Sequence, residues 1–180
     1  MQKFKNIFVL CTGRCGSLTF SKACSHISNY TSSHESRTGE LGNKRFNYPN
    51  FHIEVDNRLS WLLGKLDKYF GNDAFYVHLK RDKFLTAKSF EKRAGNGIMK
   101  AYEGDGILLG SNEKDKFKIA LDYVETVNLN ISLFLNNKSN KMEINIENPL
   151  EDFILFFNKI NAEGDLDKSL QEFQTYHNKS

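Results

Sequence analysis

Asn6-Ile7-Phe8-Val9-Leu10-Cys11-Thr12-Gly13-Arg14-Cys15-Gly16-Ser17 is the stretch that decides the fold. Residues 6–11 form a short apolar run, suited to a strand buried on both faces of a parallel sheet. Thr12 to Ser17 is a turn with two glycines, and Leu18, Phe20, Ala23, Cys24 and Ile27 then open a helical pattern. Strand, glycine turn and helix together aim backbone N–H groups and a helix N-terminus at an anion.

Working outward, residues 28–50 are polar, with an edge strand or extended piece near 29–33 and then a long loop of the kind that serves a site. Phe51 to Val55 is a short extended segment. Asp56 or Asn57 caps a helix carrying Leu59, Leu62, Leu63, Leu66 and Phe70, closed by Gly71. Ala74 to Leu79 is the second clear strand and runs into Lys80-Arg81-Asp82. The helix after it carries Phe84, Ala87, Phe90 and Ala94, and it ends at Gly95. Residues 95–112 are glycine-rich and read as a mobile segment or lid. Phe117 to Phe134 keeps helical spacing. Met142 to Ile146 is a third strand, and Asn148-Pro149-Leu150-Glu151 starts a helix with an Asn cap and Pro at its first position.

Strands alternating with helices predict one α/β domain: three layers, α/β/α, around a central parallel sheet. Residues 6–160 are the expected core and 161–180 a polar tail, frayed or loosely docked. The ligand crevice is expected at the C-terminal ends of the strands.

Composition narrows the function classes. Of 180 residues, 39% are hydrophobic, enough to build a core, and the net charge of +3 suits a small anion but not wrapping nucleic acid. No run approaches the ~18 apolar residues of a membrane span. Cys11, Cys15 and Cys24 cannot all pair, which points to reduced thiols and a cytoplasmic setting. They have no partners at zinc-ligand spacing, so no metal is expected.

Two basic clusters then stand at successive strand ends. Arg14 and Ser17 lie in the glycine loop; Arg81 ends the later strand, and Ser89 and Arg93, four apart, share a helix face. Two anion centres suit a ligand with two separated phosphate-like groups. The loop lacks the Gly-Lys-Ser/Thr of a nucleoside-triphosphate P-loop, and neither thiol has the arginine of a phosphatase loop.

Arg14-Cys15-Gly16-Ser17 after a buried strand, with Arg81 and Ser89 spaced by eight, resembles the sulfotransferases that use 3′-phosphoadenosine-5′-phosphosulfate (PAPS), in a short bacterial-type branch. The likeness runs in order over residues 6–160 and takes in Ile144 to Glu147 before the last core helix. It implies a P-loop NTPase-like sulfotransferase fold, with PAPS as co-substrate. Gly13, Arg14, Cys15, Gly16, Ser17 and Leu18 would cradle the phosphosulfate, and Arg81, Ser89 and Arg93 would hold the 3′-phosphate. The resemblance further implies a catalytic base at His34-Glu35, with Glu35 first and His34 second, and Arg14 as the cation on the breaking bond. The expected acceptor is a carbohydrate or small molecule offering a hydroxyl or amine. The chain departs from the family in having Arg14 where many members have Lys, Lys83 where Pro is common, and no C-terminal Arg-Lys-Gly element.

Duller readings stand beside these. The glycine turn can be a plain βα connection, Arg81-Asp82 a surface ion pair, and Glu35 a solvated glutamate. Glu54, Asp56 and Arg58 can form an internal network that orients the loop. His78 reads as structural, Trp61 as a core or interface residue, and Cys15, at a helix N-terminus, as a thiol of lowered pKa. A small-molecule or nucleotide kinase and a non-catalytic nucleotide-binding module are the rival functions; the oligomeric state is left open.

Overall fold

The computed structural model describes residues 3–175. Strands β1 (Asn6–Leu10), β2 (Thr31–His34), β3 (His52–Val55), β4 (Phe75–Lys80) and β5 (Lys141–Asn145) form a sheet in the order β2-β3-β1-β4-β5. Every neighbouring pair is parallel, with Val9 opposite Val55 on one side and Val77 on the other. The helices are α1 (Ser17–Cys24), α2 (Leu63–Phe70), α3 (Lys83–Glu91), α4 (Gly97–Glu103), α5 (Lys116–Asn136), α6 (Pro149–Lys159) and α7 (Leu166–Glu172). This is the α/β fold with a central parallel sheet that the alternating pattern predicts.

The central strand explains the two helical layers. Successive side chains of a strand point to opposite faces. Ile7 and Val9 therefore join Phe20 and Ala23 of α1 and Phe153 and Phe156 of α6. Phe8 and Leu10 join Leu66 of α2, Phe90 of α3, Met99 of α4 and Tyr123 of α5. Ile7, Phe8, Val9 and Leu10 are fully buried, each worth ~1.5–3 kcal/mol against exposure. The chain leaves β1 towards β2 but crosses from β3 over to β4, so its direction reverses at β1/β4. Such a reversal opens a crevice beyond the carboxyl ends of the strands.

Several local expectations are corrected. The helix expected from Asp56 or Asn57 is two pieces, a 3-10 turn over Asn57–Trp61 and then α2. The Ser60 hydroxyl donates to the Cys11 carbonyl at 3.0 Å and ties that turn to the end of β1. The glycine-rich stretch 95–112 holds α4, whose Met99 and Tyr102 are buried against the α5 layer. Helix α3 ends at Glu91, leaving Arg93 just beyond it. Asn148 makes no side-chain cap; instead the Asp152 carboxylate accepts from the Asn145 amide at 3.0 Å.

The largest correction concerns the tail. Asp165 caps α7, and Leu166, Leu170 and Phe173 pack against the core beside α1 and α6. Gly164 bridges Ile27, the Ser28 amide donates to the Glu163 carbonyl, and His26 meets Glu172 at 2.9 Å. Residues 161–175 are thus docked structure rather than a frayed end; 176–180 of the expected tail lie outside the described residues.

Candidate functional site

The first strand ends where the backbone turns left-handed. Gly13, Arg14 and Gly16 have φ of 81°, 56° and 81°. A Cβ on Gly13 would lie 2.5 Å from the Asn57 amide nitrogen, and one on Gly16 would lie 2.5 Å from Ile146. Both positions therefore need glycine for conformation and for space. Helix α1 starts at Ser17 with no side-chain cap, so its first N–H groups are left for solvent or a ligand. Beneath the loop, the Tyr123 hydroxyl donates to the Thr12 carbonyl at 2.8 Å and fixes its floor.

The end of β4 is joined to this loop directly. Arg81 Nη1 donates to the Arg14 carbonyl at 3.2 Å, and Arg14 Nε donates to Ser89 Oγ on α3 at 3.0 Å. Asp82 caps α3 by accepting from the Leu85 amide at 2.8 Å, so the Arg81-Asp82 pair reads as a cap and not as an ion pair. Burial first, then the charges of Arg93 and Arg81, push the Arg14 guanidinium down from its ordinary pKa. Crowded cations of this kind are relieved when an anion enters among them.

On the other side, β2 delivers His34 and Glu35 to the same place. His34 Nε2 and Ser17 Oγ share a hydrogen bond of 3.2 Å. Glu35 follows with φ of 51° and pairs with Arg58.

These groups line one cleft of about 1100 Å³, to which the ends of all five strands contribute. Gly13, Arg14, Gly16, Ser17, Leu18, His34, Glu35, Arg81, Ser89 and Arg93 all face it. Cys15 does not: it is buried against Cys11 in the core. A hydrogen bond from the Cys11 thiol lowers the Cys15 pKa, and that same contact, with burial, raises Cys11.

The cleft also holds residues to which the sequence assigned no ligand-binding role. Lys88 and Lys92 add charge on the α3 side, and their 88-89-92-93 spacing with Ser89 and Arg93 was a readable signal. Leu85, Ile146, Pro149 and Phe173 supply an apolar wall, while Gln174 and Thr175 border it from beyond α7. The Leu166, Leu170, Phe173 spacing after an Asp165 cap was the signal for that last wall. Asn57, beside Gly13, had none.

Away from the cleft, two residues behave as core. His78 is fully buried with Nε2 3.1 Å from Asn128 Oδ1, and burial pushes its pKa down to about 4. A neutral ring makes no ion pair with Glu143, though Nδ1 lies 3.8 Å from that carboxylate. Trp61 stacks 6.3 Å from Tyr123. Among the described residues, no cluster of three His, Cys, Asp or Glu could hold a metal ion, and no helix is long and apolar enough to cross a membrane.

No family model and no curated protein matches this sequence. Among solved structures, the chain is similar to a sulfotransferase domain from the curacin biosynthetic pathway, with a TM-score of 0.69 and 14% identity. The match covers 98% of this chain and 80% of that one. At that identity the likeness is one of fold, and the fold is sulfotransferase-like.

Proposed function

We propose that this chain is a sulfotransferase, a single catalytic domain that moves a sulfuryl group from PAPS to a hydroxyl or amine of a carbohydrate or small molecule. The observation that carries the reading is the direct link between the two basic clusters: Arg81 bonds the Arg14 carbonyl, and the Arg14 side chain bonds Ser89, all on one cleft. One donor with two separated anionic groups would engage both clusters at once. The sulfotransferase-like fold supports the same reading.

In this account the amides of residues 13–18 and the Ser17 hydroxyl hold the phosphosulfate, while Arg81, Ser89 and Arg93 hold the 3′-phosphate, with Lys88 and Lys92 adding positive charge to the same cleft. The apolar wall of Leu85, Ile146, Pro149 and Phe173 offers a surface for the adenine. The acceptor oxygen attacks sulfur in line as the sulfur–oxygen bond to the phosphate breaks. Its proton passes to Glu35, and adenosine 3′,5′-bisphosphate leaves. Arg14 stabilises the negative charge that develops on the departing phosphate oxygen. Being a guanidinium, it acts by charge and hydrogen bonding and not by proton transfer. As in phosphoryl transfer, positioning and charge stabilisation do most of the catalysis.

Titration with adenosine 3′,5′-bisphosphate tests this. Binding tighter than about 100 μM is expected, weakened roughly 10- to 100-fold by Arg81→Ala or Ser89→Ala, the usual loss for a charge-assisted hydrogen bond. No heat at that concentration overturns the reading.

A further inference from the structure

Behind Glu35 lies a buried polar scaffold that nothing in the donor site requires. Strand β3 turns Ile53 and Val55 to the α1 layer, and His52 and Glu54 to the opposite face, where Asp56 follows; Glu54 and Asp56 are fully buried. Glu54 accepts from the Ser36 amide at 2.7 Å, the Ser36 hydroxyl at 2.6 Å and His52 Nε2 at 3.0 Å. His52 Nδ1 in turn shares a 2.8 Å bond with Thr31. Asp56 accepts from Arg45 Nη2 at 3.0 Å and from the Arg58 backbone amide at 2.7 Å. Two carboxylates taken out of water cost several kcal/mol each before their partners compensate. Burial indeed pushes Asp56 up, against the opposing pull of the Arg58 amide and Arg45.

What this scaffold fixes is the neighbourhood of one residue. Glu54 holds Ser36, next in sequence to Glu35. Asp56 holds the backbone of Arg58, and the Arg58 guanidinium holds the Glu35 carboxylate. The Glu35 amide donates to the Val55 carbonyl at 3.0 Å, and its carbonyl accepts from Thr38 at 3.3 Å. Glu35 is thereby kept in a left-handed conformation that a non-glycine residue adopts at a cost of order 1–3 kcal/mol. Strain held by a buried network, at a carboxylate facing the cleft, is what a precisely aimed group requires.

A scaffold that only anchored the loop after β2 would need Asp56, Glu54 and Arg45, but not the side chain of Arg58. That side chain is 46% exposed, and Asp56 bonds the amide, which any residue at 58 keeps. We propose that Arg58 is the positioning residue for the proton acceptor: it holds the Glu35 carboxylate in one orientation towards the acceptor's hydroxyl, while Asp56 fixes Arg58. The inference rests on the reading of Glu35 as the base of a sulfuryl transfer.

The test uses the full chain with PAPS as donor and water as acceptor, following inorganic sulfate release, beside titration with adenosine 3′,5′-bisphosphate. Arg58→Ala is expected to bind the bisphosphate within about two-fold of the parent and to melt within a few degrees of it, since Asp56 keeps its amide partner. Its kcat should fall roughly 10²-fold, the usual loss for a misplaced catalytic group, with KM for PAPS unchanged. Arg58→Lys should recover most of that loss, and guanidinium ion at low millimolar concentration should raise the rate of Arg58→Ala but not of Glu35→Gln. An Arg58→Ala chain with full turnover, or one that loses bisphosphate binding, overturns the proposal. If Arg58→Ala is unimpaired while Glu35→Gln is dead, the positioning role alone fails. If Glu35→Gln turns over normally, or the parent binds no bisphosphate or releases no sulfate, the underlying reading fails with it.

Discussion

Arg14 Nε lies 3.0 Å from Ser89 Oγ, although 75 residues separate the two. The bond closes the turn after β1 onto α3 and makes one electropositive wall out of two strand ends. Its energetic consequence is coupling: the groups should act on an anionic ligand as a unit.

A double-mutant cycle measures that coupling. Arg14→Ala and Ser89→Ala should each weaken binding of adenosine 3′,5′-bisphosphate, and the double variant should lose less than the sum by about 1 kcal/mol or more. Strict additivity in calorimetric titrations would mean that the ligand feels the two residues separately.

Gly16→Ala addresses the cradle itself. The new Cβ meets a φ of 81° and a contact of 2.5 Å with Ile146, so a loss of about 1–3 kcal/mol is expected in denaturant unfolding, together with loss of bisphosphate binding. Gly39→Ala, which has open space around it, serves as the control and should change neither.

His78 gives a pH signature. Its pKa is near 4 in the folded chain against an ordinary 6.5, so the unfolded chain takes up a proton that the native one refuses. Stability is complete above pH 6.5 and falls as the pH drops towards 4, by about 3 kcal/mol from this group alone. His78→Leu removes the titration, so the fall in unfolding free energy across that window should shrink by about that amount. An unchanged slope would show that the ring is not held neutral.

Phe173 tests the docked C-terminal helix. Its ring packs 5.2 Å from Phe153 and 6.3 Å from Phe20 while also bordering the cleft. Phe173→Ala should cost about 2–4 kcal/mol of stability, near the lower end of buried aromatic truncations, and weaken nucleotide binding as well. A stability loss with unaltered affinity would confine α7 to a structural role.

Sequence reading reached β1, the glycine turn and α3 because each has a strong local signal: a run of apolar residues, paired glycines, and Phe84, Ala87 and Phe90 at helical spacing. It also reached the strand-end location of His34 and Glu35. It missed α7, because a largely polar composition outweighed the helical spacing of Leu166, Leu170 and Phe173. Helix α4 was obscured by Gly95 and Gly97, which mark its boundary and not a loop. The pairing of Glu35 with Arg58 was beyond local reasoning, since it depends on β2 and β3 lying side by side in parallel register. Cys15 lies in the expected turn, with its thiol buried against Cys11 between the left-handed Arg14 and Gly16.

Because the lining of the cleft is drawn from the tips of every strand, an occupant is clasped by the whole sheet and cannot be released by fraying at one margin. Occupancy should therefore register as resistance to heating. A compound at one hundred times its dissociation constant adds about 2.7 kcal/mol, enough for a melting screen of nucleotides, sugars and phenols to reveal what this chain holds without following turnover.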